Sequence, residues 1–213
     1  MKAVIVAGGI PPSKRLVMQE IMSKSIIIAA DSGANCLWQY KITPNFIIGD
    51  CDSIDKKILK FWSNNNVTIE CHPPEKDLTD TELALNKAID LNPEKIAFLG
   101  CLGGNRIDHL LGSMGLLDKC LSLNINAHLK DDYQTIVLLK KAATIYGHPG
   151  QMFSLQAYGG NVKDLSLKGS KYLLNNYLLK MGDTLTLSNE FKNKIVNIQF
   201  RSGKLLVIVH INA

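Results

Sequence analysis

The sequence predicts an α/β domain followed by an all-β domain, a doubly wound, mostly parallel sheet with helices leading into an antiparallel β-sandwich. Three observations carry this. Short apolar runs alternate with segments of helical period through the first 131 residues, the pattern of parallel strands with covering helices. After that point the helical period disappears and short runs rich in Val, Ile, Leu and Tyr follow one another. The charge balance also changes: residues 1–120 carry 13 basic and 14 acidic side chains, and residues 121–213 carry 11 and 5. The predicted domains are 1–131 and 132–213.

In chain order, Ala3–Ala7 reads as the first strand and 12–23 as a helix. Ser25–Ala30 and Phe46–Ile48 are the next two strands, separated by a helix over 33–40. Thr68–Cys71 and Lys95–Leu99 follow, each preceded by a helix-like stretch, 54–64 and 79–91. A helix over 107–122 leads to the strand Asn126–Leu129. The β region is read as Gln134–Leu139, Ala143–Tyr146, Met152–Ala157, Val162–Leu167, Tyr172–Leu178, Thr184–Leu187, Ile195–Phe200 and Leu205–Ile211, a spacing that fits a sandwich or barrel.

Composition excludes several function classes. A hydrophobic content of 46% with 20% charged residues describes a globular chain. No apolar run approaches the ~20 residues of a membrane span, and the six-residue apolar stretch near the N-terminus is too short for a secretory signal. A cytoplasmic protein with no membrane partner is expected. The net charge of +5 comes without any long basic run or nucleic-acid motif, so no nucleic-acid partner is expected either. Five cysteines without Cys-x-x-Cys spacing predict neither a zinc site nor a disulfide framework.

The chemistry-bearing residues sit where the predicted strands end. In an open α/β sheet, ligands bind beyond the carboxyl ends of the strands. Asp31, Asp50, the Glu75–Asp80 segment and the stretch from Gly100 to Asp108 all fall there. Asp50 and Asp52 are two apart, so both carboxylates can reach one hard cation or its bound waters. The alternative is that Asp52 or Ser53 caps the following helix. Asp77 and Asp80 open the next helix, where Thr79 and Glu82 also fit a capping box. Lys76 beside them balances a metal site, holds a phosphate, or is a solvated surface charge. Gly103-Gly104-Asn105-Arg106 precedes a helix and offers backbone N–H groups and a guanidinium fork to an anion. His109, next to Asp108, is a candidate base or a structural hydrogen-bonding residue. The phosphate-loop and Gly-x-Gly-x-x-Gly fingerprints are both absent.

Taken in order, Ala30-Asp31-Ser32-Gly33-Ala34-Asn35, Ile48-Gly49-Asp50-Cys51-Asp52-Ser53, Glu75-Lys76-Asp77-Leu78-Thr79-Asp80 and Arg106-Ile107-Asp108-His109 closely resemble the thiamine pyrophosphokinase family. Lys168–Asn175 and Leu187–Phe191 look like that family's β-domain motifs, so the resemblance covers nearly the whole chain.

The resemblance implies transfer of a diphosphate from ATP to the hydroxyethyl group of thiamine, with magnesium, in a homodimer that holds thiamine between subunits. It assigns Asp50, Asp52 and Asp80 to the metal, and these three with Arg106 to catalysis. Asp31, Asn35, Lys76, Asp77, Arg106, Asp108 and His109 go to ATP. Tyr172, Thr186, Ser188 and Asn189, contributed by the partner subunit, go to thiamine. Asn105 and Ser113 depart from the family pattern, which usually has glycine and asparagine there, and Tyr172 replaces a tryptophan of some members. Two other readings stand beside this one: a diphosphokinase for another heterocyclic alcohol such as a pterin, and a non-catalytic nucleotide or thiamine binder.

Overall fold

A computed structural model describes residues 1–21, 24–75 and 77–211. Lys76, one of the expected ATP ligands, lies outside the described residues. The chain divides into two compact units, Met1–Asp132 and Tyr133–Ala213.

The first unit carries the strands β1 (Lys2–Val6), β2 (Ser25–Ala30), β3 (Phe46–Gly49), β4 (Thr68–Cys71), β5 (Lys95–Leu99) and β6 (Asn126–Lys130), interleaved with α1 (Lys14–Glu20), α2 (Gly33–Tyr40), α3 (Lys56–Asn64), α4 (Asp80–Asp90) and α5 (Ile107–Ser122). The strands pair in parallel, in the order β6-β5-β1-β2-β3-β4. The chain therefore runs outward from β1 to β4, then returns to the other side of β1 as β5. The reversal of strand order falls between β1 and β5, and such sheets open a crevice beyond the carboxyl ends at that point. Val4, Val6, Ile27, Ala29, Ile47, Ala97 and Leu99 belong to a core cluster with Leu37, Ile58 and Trp62 from the helices.

Local chemistry sets where the helices begin. Ser13 caps α1 by accepting from the Leu16 N–H, and its own N–H donates to Asp132. Thr79 caps α4, but only half of the expected capping box forms, because the Glu82 carboxylate instead accepts from Lys119 Nζ at 3.0 Å. α3 starts at Lys56 with Asp55 as its cap, accepting from the Lys57 N–H at 2.7 Å. Neither Asp52 nor Ser53 is used for capping, so both remain available to the site.

The second unit is antiparallel throughout its pairings. β7 (Gln134–Leu139), β9 (Met152–Ala157), β12 (Asn189–Glu190) and β14 (Leu205–His210) form one sheet, in the order β12-β9-β14-β7. β8 (Ala143–Tyr146), β10 (Val162–Lys168), β11 (Leu174–Leu179) and β13 (Ile195–Gln199) form the other, in the order β11-β10-β13-β8. Phe153, Leu155 and Val207 of the first sheet share one core with Leu165, Leu179 and Val196 of the second, which makes the unit a sandwich.

Two expectations are overturned. Thr184–Leu187 is not a strand: the segment turns, with the Leu187 N–H bonded to Thr184 O and Ser188 at φ +54°, and pairing resumes only at Asn189. Its alternation of Leu and Thr is inverted, since Leu185 is exposed and Thr186 is buried with its hydroxyl on Leu155 O. The cysteines are not all unpaired either, because Cys51 and Cys71 form a disulfide. Sequence spacing hides this pair, whose separation of 20 residues is closed by the parallel register of Gly49 with Cys71.

Candidate active site

A cavity of about 680 Å³ opens where β1 and β5 end. Gly8 and Gly9 follow β1 along one wall, and Gly100, Cys101, Gly103 and Gly104 follow β5 along the other. The glycines are there because the chains approach too closely for side chains. A Cβ on Gly9 would lie 2.4 Å from Gly100 O, and one on Gly100 2.4 Å from Ala7 O. Gly103 and Gly104 adopt φ of +73° and +85°, which glycine tolerates without strain. They deliver the chain to the first turn of α5, whose N-terminal N–H groups favour an anion.

Asp31, Asp80, Arg106 and His109 line this cavity. Asp31 follows β2, and its N–H donates to Ile48 O on neighbouring β3, which sets it beside the turn carrying Asp50 and Asp52. One carboxylate oxygen from each of Asp31, Asp50 and Asp52 lies within 4.8 Å of the others. Asp80 adjoins them: its Oδ1 would stand 3.1 Å from a Cβ on Gly49, and Asp31 Cβ 3.0 Å from the same point. The convergent set is therefore Asp31, Asp50 and Asp52, with Asp80 next to it, whereas the set expected from sequence was Asp50, Asp52 and Asp80. The signal for Asp31 was its place at the end of a strand parallel to β3, one step from Asp50.

The donor set fits a hard divalent cation. Three carboxylates this close repel one another and offer only oxygen ligands, the chemistry that magnesium and calcium select. Asp31 Oδ1 is shielded from solvent and, among the described residues, accepts no hydrogen bond, while Oδ2 accepts from Ser53 Oγ. A buried oxygen without a donor is costly unless a cation faces it. The carboxyl of Asp52 is pushed above its usual range, chiefly by its hydrogen bond to Asp50, then by the charge of Asp50, by burial, and by Asp31 and Asp80.

The other expected ligands divide by position. Arg106 is held by Asp108, with Nη2 2.6 Å from Oδ2 and Nε 3.0 Å from Oδ1, so Asp108 aims the guanidinium rather than lining the cavity. Asn35 also acts at one remove: its Nδ2 donates to Ser53 O at 3.0 Å, tying α2 to the aspartate turn. Asp77 is exposed and is not part of the cavity wall. Ser113 donates its hydroxyl to His109 O at 2.9 Å. Burial pushes the neighbouring Cys101 thiol up to about 12, so it stays protonated.

In the second unit, Asn189 is buried and grips the backbone of Tyr172 in both directions: Oδ1 accepts from the Tyr172 N–H at 3.1 Å and Nδ2 donates to Tyr172 O at 2.8 Å. Ser188 N–H donates to Ser154 Oγ. Thr186 and Asn189 thus spend their side chains inside the unit, while Tyr172 is 57% exposed, with Lys171 Nζ 5.4 Å from its ring centroid.

Two family profiles match the chain: "Thiamin pyrophosphokinase, catalytic domain" over residues 17–129, and "Thiamin pyrophosphokinase, vitamin B1 binding domain" over residues 135–205. The sequence is 32% identical over 183 residues to the thiamine pyrophosphokinase of Bacillus subtilis (strain 168), covering 85% of each chain. A crystal structure of thiamine pyrophosphokinase from Bacillus subtilis superposes with a TM-score of 0.90 at 29% identity, covering 100% of both chains. That of the Geobacillus thermodenitrificans protein gives 0.87 at 25% identity, covering 100% of this chain and 99% of the other.

Proposed function

The chain belongs to the thiamine pyrophosphokinase family, and from that premise we propose that it transfers a diphosphate from ATP to the hydroxyethyl oxygen of thiamine, releasing AMP. The observation that carries this reading is the convergence of Asp31, Asp50 and Asp52 within 4.8 Å beside a cavity that also exposes Arg106. Asp31, Asp50 and Asp52 would hold magnesium, with Asp80 adjoining, and the ion supplies charge neutralisation for phosphate oxygens.

The protein's own groups do the rest by positioning. Arg106 presents a permanently charged fork to the transferring phosphate oxygens, and the first turn of α5 adds backbone N–H groups on the same side. Such preorganised donors are most effective where charge develops on the phosphate. Phosphoryl transfer asks little covalent chemistry of the protein, so fixing the alcohol in line with the departing AMP is the main task. His109 also lines the cavity. The vitamin B1 binding profile over residues 135–205 favours thiamine over a pterin as acceptor. Tyr172 presents its ring to the cationic, aromatic vitamin for stacking, Asn189 holds the Tyr172 backbone, and Ser188 and Thr186 belong to the segment that carries Asn189.

We place the enzyme in the cytoplasm as a homodimer in which each β unit serves the partner's nucleotide site. Among the described residues no helix is long and apolar enough to cross a membrane.

The test is incubation with ATP, magnesium and thiamine, with AMP resolved from ADP. AMP that appears only when thiamine is present is the expected result. ADP formation, or AMP that forms without thiamine, overturns the reading.

A further inference from the structure

Cys51 separates Asp50 from Asp52, and its sulfur is bonded to Cys71 at the end of β4. Cys51 has φ +64°, in the left-handed region that few residues other than glycine, asparagine and aspartate enter readily. Its conformation shapes the turn that brings the flanking carboxylates to Asp31. Within the turn, the Asp52 N–H reaches Asp50 Oδ1 at only 3.3 Å. The like charges of three carboxylates within 4.8 Å also push the turn open. Against these stands a covalent tether to a strand whose position is fixed by the register of Gly49 with Cys71. The two Cα atoms are 5.9 Å apart, within the span a disulfide bridges.

We infer that Cys51 and Cys71 form a thiol–disulfide site that sets the divalent-cation affinity of the adjoining carboxylates, high when the bond is closed and low when it is open. The inference rests on reading Asp31, Asp50 and Asp52 as the metal site. Its co-reactant is a low-molecular-weight disulfide, R–S–S–R, or the corresponding thiol. Cys71 is exposed and Cys51 half-buried, so Cys71 reacts first. Its thiolate attacks one sulfur of R–S–S–R, and that bond breaks to release R–S⁻, which takes up the proton given up by Cys71. The Cys51 thiolate then attacks the Cys71 sulfur, forming the protein disulfide and releasing the second R–S⁻, protonated in turn. Two protein thiols lose two electrons and one R–S–S–R becomes two R–SH; excess R–SH runs the sequence backwards. Exchange is confined to this pair, because Cys36 and Cys120 are buried and Cys101 is kept protonated by burial.

Mn²⁺ titration of the nucleotide-free full chain tests this by calorimetry, on protein oxidised with excess glutathione disulfide, on protein reduced with dithiothreitol, and on Cys71→Ser under both treatments. Thiol counts in denaturant assign the states, three free cysteines when the pair is closed and five when it is open. Reduction is expected to weaken Mn²⁺ binding about tenfold, the usual scale for losing a group that orients metal ligands. Cys71→Ser is expected to bind weakly under both treatments. Equal affinity in oxidised and reduced wild type, or a Cys71→Ser protein that still responds to oxidant, overturns the switch and leaves the metal site standing. Absence of Mn²⁺ binding in every sample overturns the metal site itself, and the switch with it.

Discussion

The Asp108 carboxylate holds the Arg106 guanidinium at the mouth of the cavity, through contacts of 2.6 Å and 3.0 Å. The hydrogen bond from Arg106 lowers the Asp108 carboxyl to about 2, so the pair stays ionised throughout the neutral range. Both side chains are more than 60% exposed, and exposed ion pairs add little to stability. The value of the contact lies in aiming the fork. Asp108→Ala is therefore expected to raise the KM for ATP several-fold while leaving the melting temperature unchanged. Arg106→Lys keeps the charge but loses the bidentate geometry, and should cost more activity than Asp108→Ala. Steady-state kinetics beside thermal melts decide it, and a fall in melting temperature without a KM effect refutes the positioning role.

Asp50 and Asp52 crowd like charges beside Asp31, an arrangement that the proposed function reads as the metal site. Asp50→Asn and Asp52→Asn are each expected to lower turnover at least about 100-fold, the scale of losing one preorganised electrostatic contact to a transferring group. Each should leave the melting temperature level or raise it, because one of several like charges is gone. Near-normal turnover in Asp52→Asn would falsify the assignment of that carboxylate to the metal.

Asn189 and Tyr172 separate support from contact. Asn189 is 4% exposed and bonds both backbone groups of Tyr172. Asn189→Ala takes the partner from the Tyr172 N–H, while Tyr172 O keeps the Ser170 hydroxyl at 3.0 Å, and the emptied buried position should cost about 2 kcal/mol, with a raised KM for thiamine. Tyr172→Ala removes an exposed ring, so it should raise the thiamine KM with little change in stability, while Tyr172→Phe stays close to wild type. If denaturant unfolding gave the same loss for Tyr172→Ala as for Asn189→Ala, this division of roles would fail.

Much of this architecture is legible in the sequence because it is encoded locally. Ser25–Ala30, Thr68–Cys71 and Lys95–Leu99 are apolar runs bounded by turn residues, and α2 and α5 keep an apolar stripe, so each is found where its pattern predicts. The strand-end rule then puts Asp31, Asp50 and Asp80 near one crevice. What the sequence hides depends on register between distant segments. Asp31 joins Asp50 and Asp52 only because β2 and β3 run side by side, and Cys51 meets Cys71 only because β3 and β4 do. Thr184–Leu187 misleads for the converse reason. Its alternation fits a strand, yet the buried residue is Thr186, whose hydroxyl is satisfied by Leu155 O, and the leucines face outward.

Glu20 gives the fold its expected response to acid. Its carboxylate, 6% exposed, accepts from Lys130 Nζ at 2.7 Å, from Lys2 Nζ, and meets His128 Nε2 at 3.2 Å. Burial alone would raise its pKa, but the hydrogen bonds from His128, Lys130 and Lys2 outweigh that and hold the carboxyl far below its ordinary value of 4.5. The folded pKa is thus depressed, so the unfolded chain binds the extra proton first as the pH falls. The stabilisation is complete above the unfolded value and is lost progressively from about pH 5 downward. Glu20→Gln removes the counter-charge from a cluster of partly buried cations, and should cost about 3 kcal/mol at neutral pH. It should also flatten the dependence of stability on pH below 5, since the group that titrates is gone. Thermal unfolding of both proteins from neutral to acid pH measures the two slopes. Parallel curves would mean that Glu20 is not the group through which acid weakens this unit.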